Sequence, residues 1–419
     1  MQGVPPHVSE ENMKLIDQYR GLRRENYVLF FGRIVTSLGS MIWPVLTLIL
    51  NQKMGLDASS IAVLLTAASI VMLPANLFGG RLADRRNKKN IIIVGDLVSI
   101  VCYIACGLVP LGPITIGLIM VASLFQTIEG PAYNALVADI TPTRDREKAY
   151  SLLYLGANIG MILAPTIAGF LMENYLWLSF IISGVSIGMS TFMIWKWVQD
   201  ITPVKDEGEE AVYQTAEEKA SVFSVLKKNP QVMLFLIATA LYYAAYHQYN
   251  FLMPLDMAAV HENGAVIFGT VTSTNCIVVV LFTPIITSLF RRMCDTKKLL
   301  TGMLLILTGY GLFLALLGFI PAYYASMLVF TWGEIFCTLA EGPYMTVRIP
   351  SSHRGRVNSV IGVLQTLLIG GFDIVLGRIY DNAGSLQAWI LVLGALLIAI
   401  IIAAFLIRGD RKAYPKLYE

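Results

Sequence analysis

The chain has 419 residues, 56% hydrophobic and only 14% charged, with a mean hydropathy of +0.65. Soluble domains carry about a quarter charged residues, so the composition excludes a soluble globular protein and describes an integral membrane protein with little mass outside the bilayer. The net charge of +3 says little by itself, because in a membrane protein the placement of charges matters more than their sum.

Residues 1–25 contain Pro5-Pro6 and then a short charged, amphipathic stretch, expected to lie on the cytoplasmic face without a cleavable leader. Apolar segments of about 20 residues, each long enough to cross a bilayer, then follow in regular succession. They are predicted at 26–50, 58–80, 91–111, 114–139, 148–173, 177–198, 231–255, 265–290, 299–319, 322–347, 356–380 and 386–408. Twelve crossings put both termini on one side. Lys14, Arg20, Arg23 and Arg24 precede the first, and basic clusters recur on the same side at 81–89, 144–148, 205–228, 291–298, 348–356 and 408–416. The opposite loops hold Lys53, with Arg378 near a helix end. The asymmetry predicts a cell (inner or plasma) membrane protein with cytoplasmic termini.

The longest connection, 199–230, is rich in Asp, Glu and Lys and separates residues 26–198 from residues 231–408, leaving 409–419 as a tail. The two halves look duplicated. Glu129-Gly130-Pro131 near the end of span 4 precedes Pro142-x-x-x-Arg146-x-Lys148-x-x-Ser151. Glu341-Gly342-Pro343 in span 10 precedes Pro350-x-x-x-Arg354-x-Arg356-x-x-Ser359. A weaker echo links Lys88-Lys89 before Gly95 to Lys297-Lys298 before Gly302. The predicted architecture is all-α: twelve transmembrane helices in two pseudo-symmetric six-helix bundles, with a substrate site near the bilayer midplane between them.

Charges inside a membrane are costly and mark candidate functional groups. Glu129 lies in span 4, Glu341 at its repeat-equivalent place in span 10, and Glu334 one heptad earlier on the same helix face. All three are expected to face the gap between halves. A carboxyl in a low-dielectric cavity holds its proton more tightly than in water and can load and release it near neutral pH. The competing reading is a hydrogen-bonded glutamate that only fixes helix register. Arg33, about two turns into span 1, either snorkels to the interface or pairs with an inner acid such as Glu129 or Asp139. Asp373 is expected to pair with Arg378 on its own helix, and Asp96 to lie at the interface.

Span 7 carries Tyr242, Tyr243, Tyr246, His247, Gln248, Tyr249, Asn250 and Phe251. With Trp43, Gln126, Trp332 and Tyr344, the aromatic residues and His247 form the expected substrate cavity, whose ring faces suit lipophilic cations. Interfacial belting is the alternative for the outer tyrosines. Cys102, Cys106, Cys276, Cys294 and Cys337 have no metal-type spacing and read as small packing residues.

The turn Gly79-Gly80-Arg81-Leu82-Ala83-Asp84-Arg85-Arg86-Asn87-Lys88-Lys89-Asn90 is similar to the loop signature of the major facilitator superfamily, Gly-x-Leu-x-Asp-Arg-x-Gly-Arg-Lys. Gly80, Leu82, Asp84, Arg85, Lys88 and Lys89 match. Asn87 stands where the family prefers glycine, an exchange that a left-handed turn tolerates. In span 5, Gly156, Gly160, Ala164 and Ala168 recur every fourth residue, with Pro165 and Gly169. That stripe favours close helix packing and resembles, in degraded form, the antiporter signature Gly-x-x-x-Gly-Pro-x-x-Gly-Gly. Pro165 and Gly169 match, alanines replace two glycines, and Gly160 is displaced by one position.

Gly333-Glu334-Ile335 and the Asn250-Phe251-Leu252-Met253-Pro254 end of span 7 are similar to the drug/proton antiporter branch. That resemblance implies alternating access, with protons exchanged for an outgoing lipophilic or cationic molecule. Glu334 would be the main coupling acid, assisted by Glu129 and Glu341. Gly80, Asp84, Arg85, Lys88, Lys89, Asp139 and Arg33 would form a conformational latch. The expected partners are a small-molecule substrate, protons and the lipid bilayer, with no nucleic acid, no metal and no cofactor beyond the proton gradient. The chain is expected to act as a monomer. A proton-coupled symporter or uniporter of a small metabolite is the alternative, and a transporter-like sensor a remoter one. No nucleotide loop or nucleophile motif suggests an enzyme.

Overall fold

The computed structural model describes residues 20–142, 145–198, 226–227, 229–348 and 351–415, without the side chains of Asp84, Arg146, Glu147, Thr346, Val347 and residues 351–360. The N-terminal stretch 1–19, most of the 199–230 connection, and the Pro350, Arg354, Arg356 and Ser359 side chains of the second repeat motif lie outside the described residues.

Among the described residues, twelve long rods run back and forth. Span 1 is Arg24–Lys53, broken into Arg24–Gly39, Ile42–Leu48 and a π-helical end, Ile49–Lys53. Spans 2 to 4 are Ala58–Arg85, Lys88–Leu108 and Pro113–Ile140. Span 5 is broken into Arg146–Met161 and Ala164–Asn174, and span 6 is Leu176–Trp197. Span 7 is broken at His247 into Pro230–Tyr246 and Gln248–Val260. Spans 8 to 12 are Gly264–Leu289, Asp295–Ala315, Ile320–Arg348, Ser351–Ala383 and Ser385–Ala413.

Ten of these are long and apolar enough to cross a membrane by length and composition. Spans 7 and 10 complete the twelve. Tyrosines with His247 and Gln248 dilute the hydropathy of span 7, and tyrosines with Glu334 and Glu341 that of span 10. Local chemistry sets the ends. Asp57 caps span 2 by accepting the Ser60 N–H at 2.8 Å, and prolines open spans 4 and 7 where no intrahelical donor is needed. Asn87 is a correction to the left-handed turn expected there. Its backbone is extended, and its side chain caps span 3 by accepting the Asn90 N–H at 3.2 Å. Large apolar side chains such as Phe31, Leu108, Leu289 and Phe405 point outward, as a hydrocarbon solvent requires.

The duplication is visible in the packing. In the first half span 3 packs on spans 4 and 6, span 1 on spans 5 and 6, and span 2 on span 4. In the second half span 9 packs on spans 10 and 12, span 7 on spans 11 and 12, and span 8 on span 10. Each pair maps onto its partner by adding six. Across the halves, span 2 meets span 11, span 5 meets span 8, and span 1 meets span 7.

Hydrogen bonds join these pairs towards the side away from the termini, called the far side below. Thr47 Oγ1 donates to Asn250 O at 3.0 Å, Thr66 Oγ1 to Gly370 O at 3.1 Å, and the Thr166 and Ser273 hydroxyls lie 2.7 Å apart. Gly169 lies against the Ala265 carbonyl and Gly269 against the Pro165 carbonyl, so spans 5 and 8 cross at backbone contact. Gly156 and Gly160 turn the lower part of span 5 against Phe30, Ile34 and Ser37 of span 1.

Candidate functional site: two cavities around the intramembrane acids

Two cavities of about 450 Å³ each open inside the bundle. The first lies between the halves. Trp43 and Thr47 of span 1 and Thr66 and Ser69 of span 2 face His247, Tyr249 and Asn250 of span 7 and Asp373 of span 11 across it. Both helix breaks, at Ser40 in span 1 and at His247 in span 7, line this space. Interrupted helices at a midplane cavity are tolerated because the cavity can receive their freed backbone groups.

The described residues that line the second cavity all come from the first half. Arg33, Asp96, Gln126, Glu129, Tyr133 and Ser190 line it. Asp96 is 8% exposed and accepts a hydrogen bond from Thr191 Oγ1 at 2.6 Å. It is therefore not the interfacial group expected from sequence. Eight residues into span 3, its carboxyl sits about two helical turns deep, beside Glu129. Gly95 is small because a side chain there would run into the Glu129 carboxyl. Glu129 Oε2 is buried and accepts no hydrogen bond. Arg33 shares this wall with Glu129, one of the two acids named for it above, and so stands with the cavity acids and apart from the loop latch.

The two remaining glutamates do not share one gap with Glu129, contrary to expectation. Glu334 is held by Asn275 of span 8, whose Nδ2 donates to Oε2 at 2.7 Å and to Thr331 Oγ1 at 2.9 Å. It lines a small space with Tyr154, which also borders the second cavity. Glu341 accepts the Tyr243 hydroxyl at 2.5 Å. Asp373 is paired differently from the expectation too. Gln248 Nε2 donates to its Oδ1 at 2.7 Å and His247 Nδ1 lies 3.0 Å from its Oδ2. Arg378, five residues on, falls on another helix face.

The aromatic set divides. Trp43, His247 and Tyr249 line the first cavity and Gln126 the second. Tyr242, 2% exposed, is core, packed by Tyr243 and Tyr246. Tyr246 stacks on Phe330 at 5.3 Å, and Trp332 packs on Phe282 at 5.5 Å. Tyr344 is fully buried elsewhere. Its hydroxyl donates to Asp410 at 2.8 Å, its ring stacks on Phe235, and the Arg348 guanidinium lies 3.9 Å from the ring centroid. Tyr242, Tyr246, Trp332 and Tyr344 thus pack away from these two cavities.

In the 2–3 loop the Asp84 side chain lies outside the described residues, Arg85 is exposed, and Gly80 faces open space. Lys88 pairs with Asp139 at 2.7 Å, and Lys89 Nζ donates to the Trp195 and Val198 carbonyls at 2.9 and 2.6 Å. The lysines thereby tie span 3 to the ends of spans 4 and 6. Sequence reasoning overlooked Asp256, which accepts Trp389 Nε1 at 2.5 Å and the Tyr380 hydroxyl at 3.1 Å, locking spans 7, 11 and 12 together. It falls one residue past the predicted end of span 7 at 255, whereas the helix runs on to Val260.

A profile described as Major Facilitator Superfamily matches residues 29–372. A Na(+), Li(+), K(+)/H(+) antiporter of Planococcus maritimus is 21% identical over 399 residues, 85% of this chain and 88% of that one. The quinolone resistance protein NorA of Staphylococcus aureus is 26% identical over 174 residues, covering 41% and 44%. The crystal structure of a POT family transporter in complex with a thioalcohol-conjugated peptide superposes with a TM-score of 0.77 at 13% identity, over 93% of this chain and 96% of that one. That likeness speaks for the fold alone. With twelve rods, duplicated halves and this match, the chain belongs to the major facilitator superfamily and is a multi-pass membrane transporter, not an enzyme.

Proposed function

We propose that this protein exports lipophilic, cationic small molecules in exchange for protons, by alternating access of the first cavity to the two sides of a cell membrane. The observation that carries the reading is the Glu129 carboxyl. It faces a cavity beside Asp96 and Arg33, with one buried oxygen that accepts no hydrogen bond. A carboxyl so placed can exchange a proton with cavity water, and its charge alters the balance with Arg33 when it does. Glu334 offers a second acid in the other half, and Glu341 a third. The 26–198 and 231–408 bundles act as the rocking halves, joined by 199–230 with 1–25 and 409–419 outside them. Both termini are cytoplasmic in this reading, which the one-sided basic clusters support. One chain suffices, and the proton gradient is the only energy source. The resistance protein NorA among the relatives supports export of drug-like molecules.

A second reading, exchange of a monovalent metal cation for a proton, is favoured by the antiporter relative that spans 85% of this chain. One assay separates them. Everted vesicles report lumenal pH through acridine orange while tetraphenylphosphonium, Na⁺, Li⁺ or K⁺ is added. Export of lipophilic cations predicts proton release with tetraphenylphosphonium, lost in Glu334→Gln and Glu129→Gln. A response to the metal cations alone favours the second reading. Uptake of a sugar or organic acid with protons would overturn both.

A further inference from the structure

The cavity between the halves holds a pair of groups that the coupling acids above leave unused. Spans 1 and 7 occupy equivalent places in the duplicated halves, and both break where they meet it. The break in span 7 sets His247 beside Asp373 of span 11. Nδ1 lies 3.0 Å from Oδ2, yet off the line of a hydrogen bond, so Nδ1 is buried without an aligned partner. Asp373 is 3% exposed, and its other oxygen takes the Gln248 amide. Thr272 Oγ1, lining the same cavity from span 8, is also buried and unpartnered, in a residue 2% exposed. From the other half Trp43, a residue 41% exposed, contributes its ring.

The charge balance of this cavity is simple. Among the described residues its titratable lining groups are His247, Asp373 and Tyr249. Spans 1, 2, 5 and 8 present hydroxyl, indole and apolar groups, among them Ser40, Thr66, Met161 and Thr272, and among the described residues no lysine or arginine lines it. Asp256, further along span 7, is occupied by Trp389 and Tyr380. With His247 neutral the cavity therefore carries the single negative charge of Asp373. With His247 protonated the pair is neutral overall.

We infer that Asp373 holds the cationic group of the cargo in this cavity, and that a proton on His247 competes with the cargo for the same carboxylate. The remainder of the cargo is an apolar or aromatic body. Trp43 offers it a ring face, and a cavity of about 450 Å³ has room for a compact drug-sized molecule. One proton taken up at His247 then releases one monovalent cation, which makes proton and cargo alternative occupants of one site. This deepens the export reading and rests on its antiport character.

The test is isothermal titration of the purified full-length protein with tetraphenylphosphonium at about pH 6, 7 and 8, a range that spans ordinary histidine titration. Wild-type affinity falls with acid, approaching about tenfold per pH unit, the limit for one proton competing with one cation. His247→Gln binds with the same affinity at all three values. Asp373→Asn loses at least about tenfold at the highest pH, the scale of a charge-assisted contact. Asp373→Glu, which keeps the charge, binds more tightly than Asp373→Asn and guards against a folding artefact. Undiminished pH dependence in His247→Gln, or wild-type affinity in Asp373→Asn, overturns the inference. Proton-coupled export in vesicles that is insensitive to Asp373→Asn overturns this site while leaving antiport standing. Binding lost in Asp373→Asn, with no proton movement in wild-type vesicles, overturns antiport while leaving the cation site standing.

Discussion

Asp381, near the far-side end of span 11, caps the first turn of span 2 in the other half through Ser59. Its carboxylate accepts the Ser59 N–H at 2.8 Å, the Ser59 hydroxyl at 2.5 Å and the Ala58 N–H at 3.1 Å. The opening amides of a helix have no intrahelical acceptor, and a carboxylate there also meets the positive end of the helix dipole. A cap made between halves must break when the far side opens. Asp381→Ala therefore removes about 1 kcal/mol from closure, which raises the far-side-open population about fivefold. Electron–electron resonance between spin labels at Gln52 and Glu262, exposed far-side sites in opposite halves, reads that population. An unchanged distance distribution would remove Asp381 from the gate.

Asp57 caps the same helix from within its own half and titrates in a defined direction. Hydrogen bonds from the Ser60 hydroxyl and then the Ser60 N–H hold its carboxyl below the ordinary aspartate value. A lowered value in the folded state means a contribution complete above the unfolded value, about 3.9, and lost as pH falls through the folded one. The melting-temperature gap between wild type and Asp57→Ala should be open at neutral pH and close below about pH 4. A gap that persists in acid would show that the effect of the substitution is not electrostatic.

Two ion pairs on the terminus-bearing side should respond very differently to loss of their cation. Arg348 and Asp410 have side chains 4% and 0% exposed, while Lys88 and Asp139 are 26% and 25% exposed. Removing Arg348 leaves the buried Asp410 carboxylate without its guanidinium countercharge. Arg348→Met should cost about 3–5 kcal/mol, and Lys88→Met less than about 1 kcal/mol. Thermal unfolding in detergent checks the ranking. Equal losses would mean that water reaches Asp410.

The twelve crossings and the duplication were legible because both are written in local patterns: apolar length, the side on which cations fall, and a repeated Glu-Gly-Pro. Helix partners were not. The expectation for Asp373 looked along its own helix to Arg378, whereas the groups that meet it, His247 and Gln248, come from span 7, 125 or more positions away in the chain. Asp96 was read as interfacial from its nearness to the start of span 3, although eight residues already carry it deep into the rod. The aromatic count of span 7 pointed to a cavity, but helical rotation sends Tyr242 into the core and only His247, Tyr249 and Asn250 to the open space. The break at His247 has no proline or glycine at that residue to announce it.

Glycines at two helix crossings make the same collision with different consequences. A side chain at Gly302 would meet Gly333 of span 10, within one half, and one at Gly269 would meet the Pro165 carbonyl of span 5, in the other half. Backbone cannot yield as a flexible side chain can, so each alanine costs about 1–3 kcal/mol. In Gly302→Ala the strain exists in every state of the transport cycle, and the melting temperature should fall. In Gly269→Ala it exists only while spans 5 and 8 are closed on each other, so the halves can relieve it by parting at the far side. The expected outcome is a nearly unchanged melting temperature with a longer Gln52–Glu262 distance. If Gly269→Ala instead unfolds the protein as Gly302→Ala does, the 5–8 crossing is permanent scaffold, and the far-side opening must pivot elsewhere.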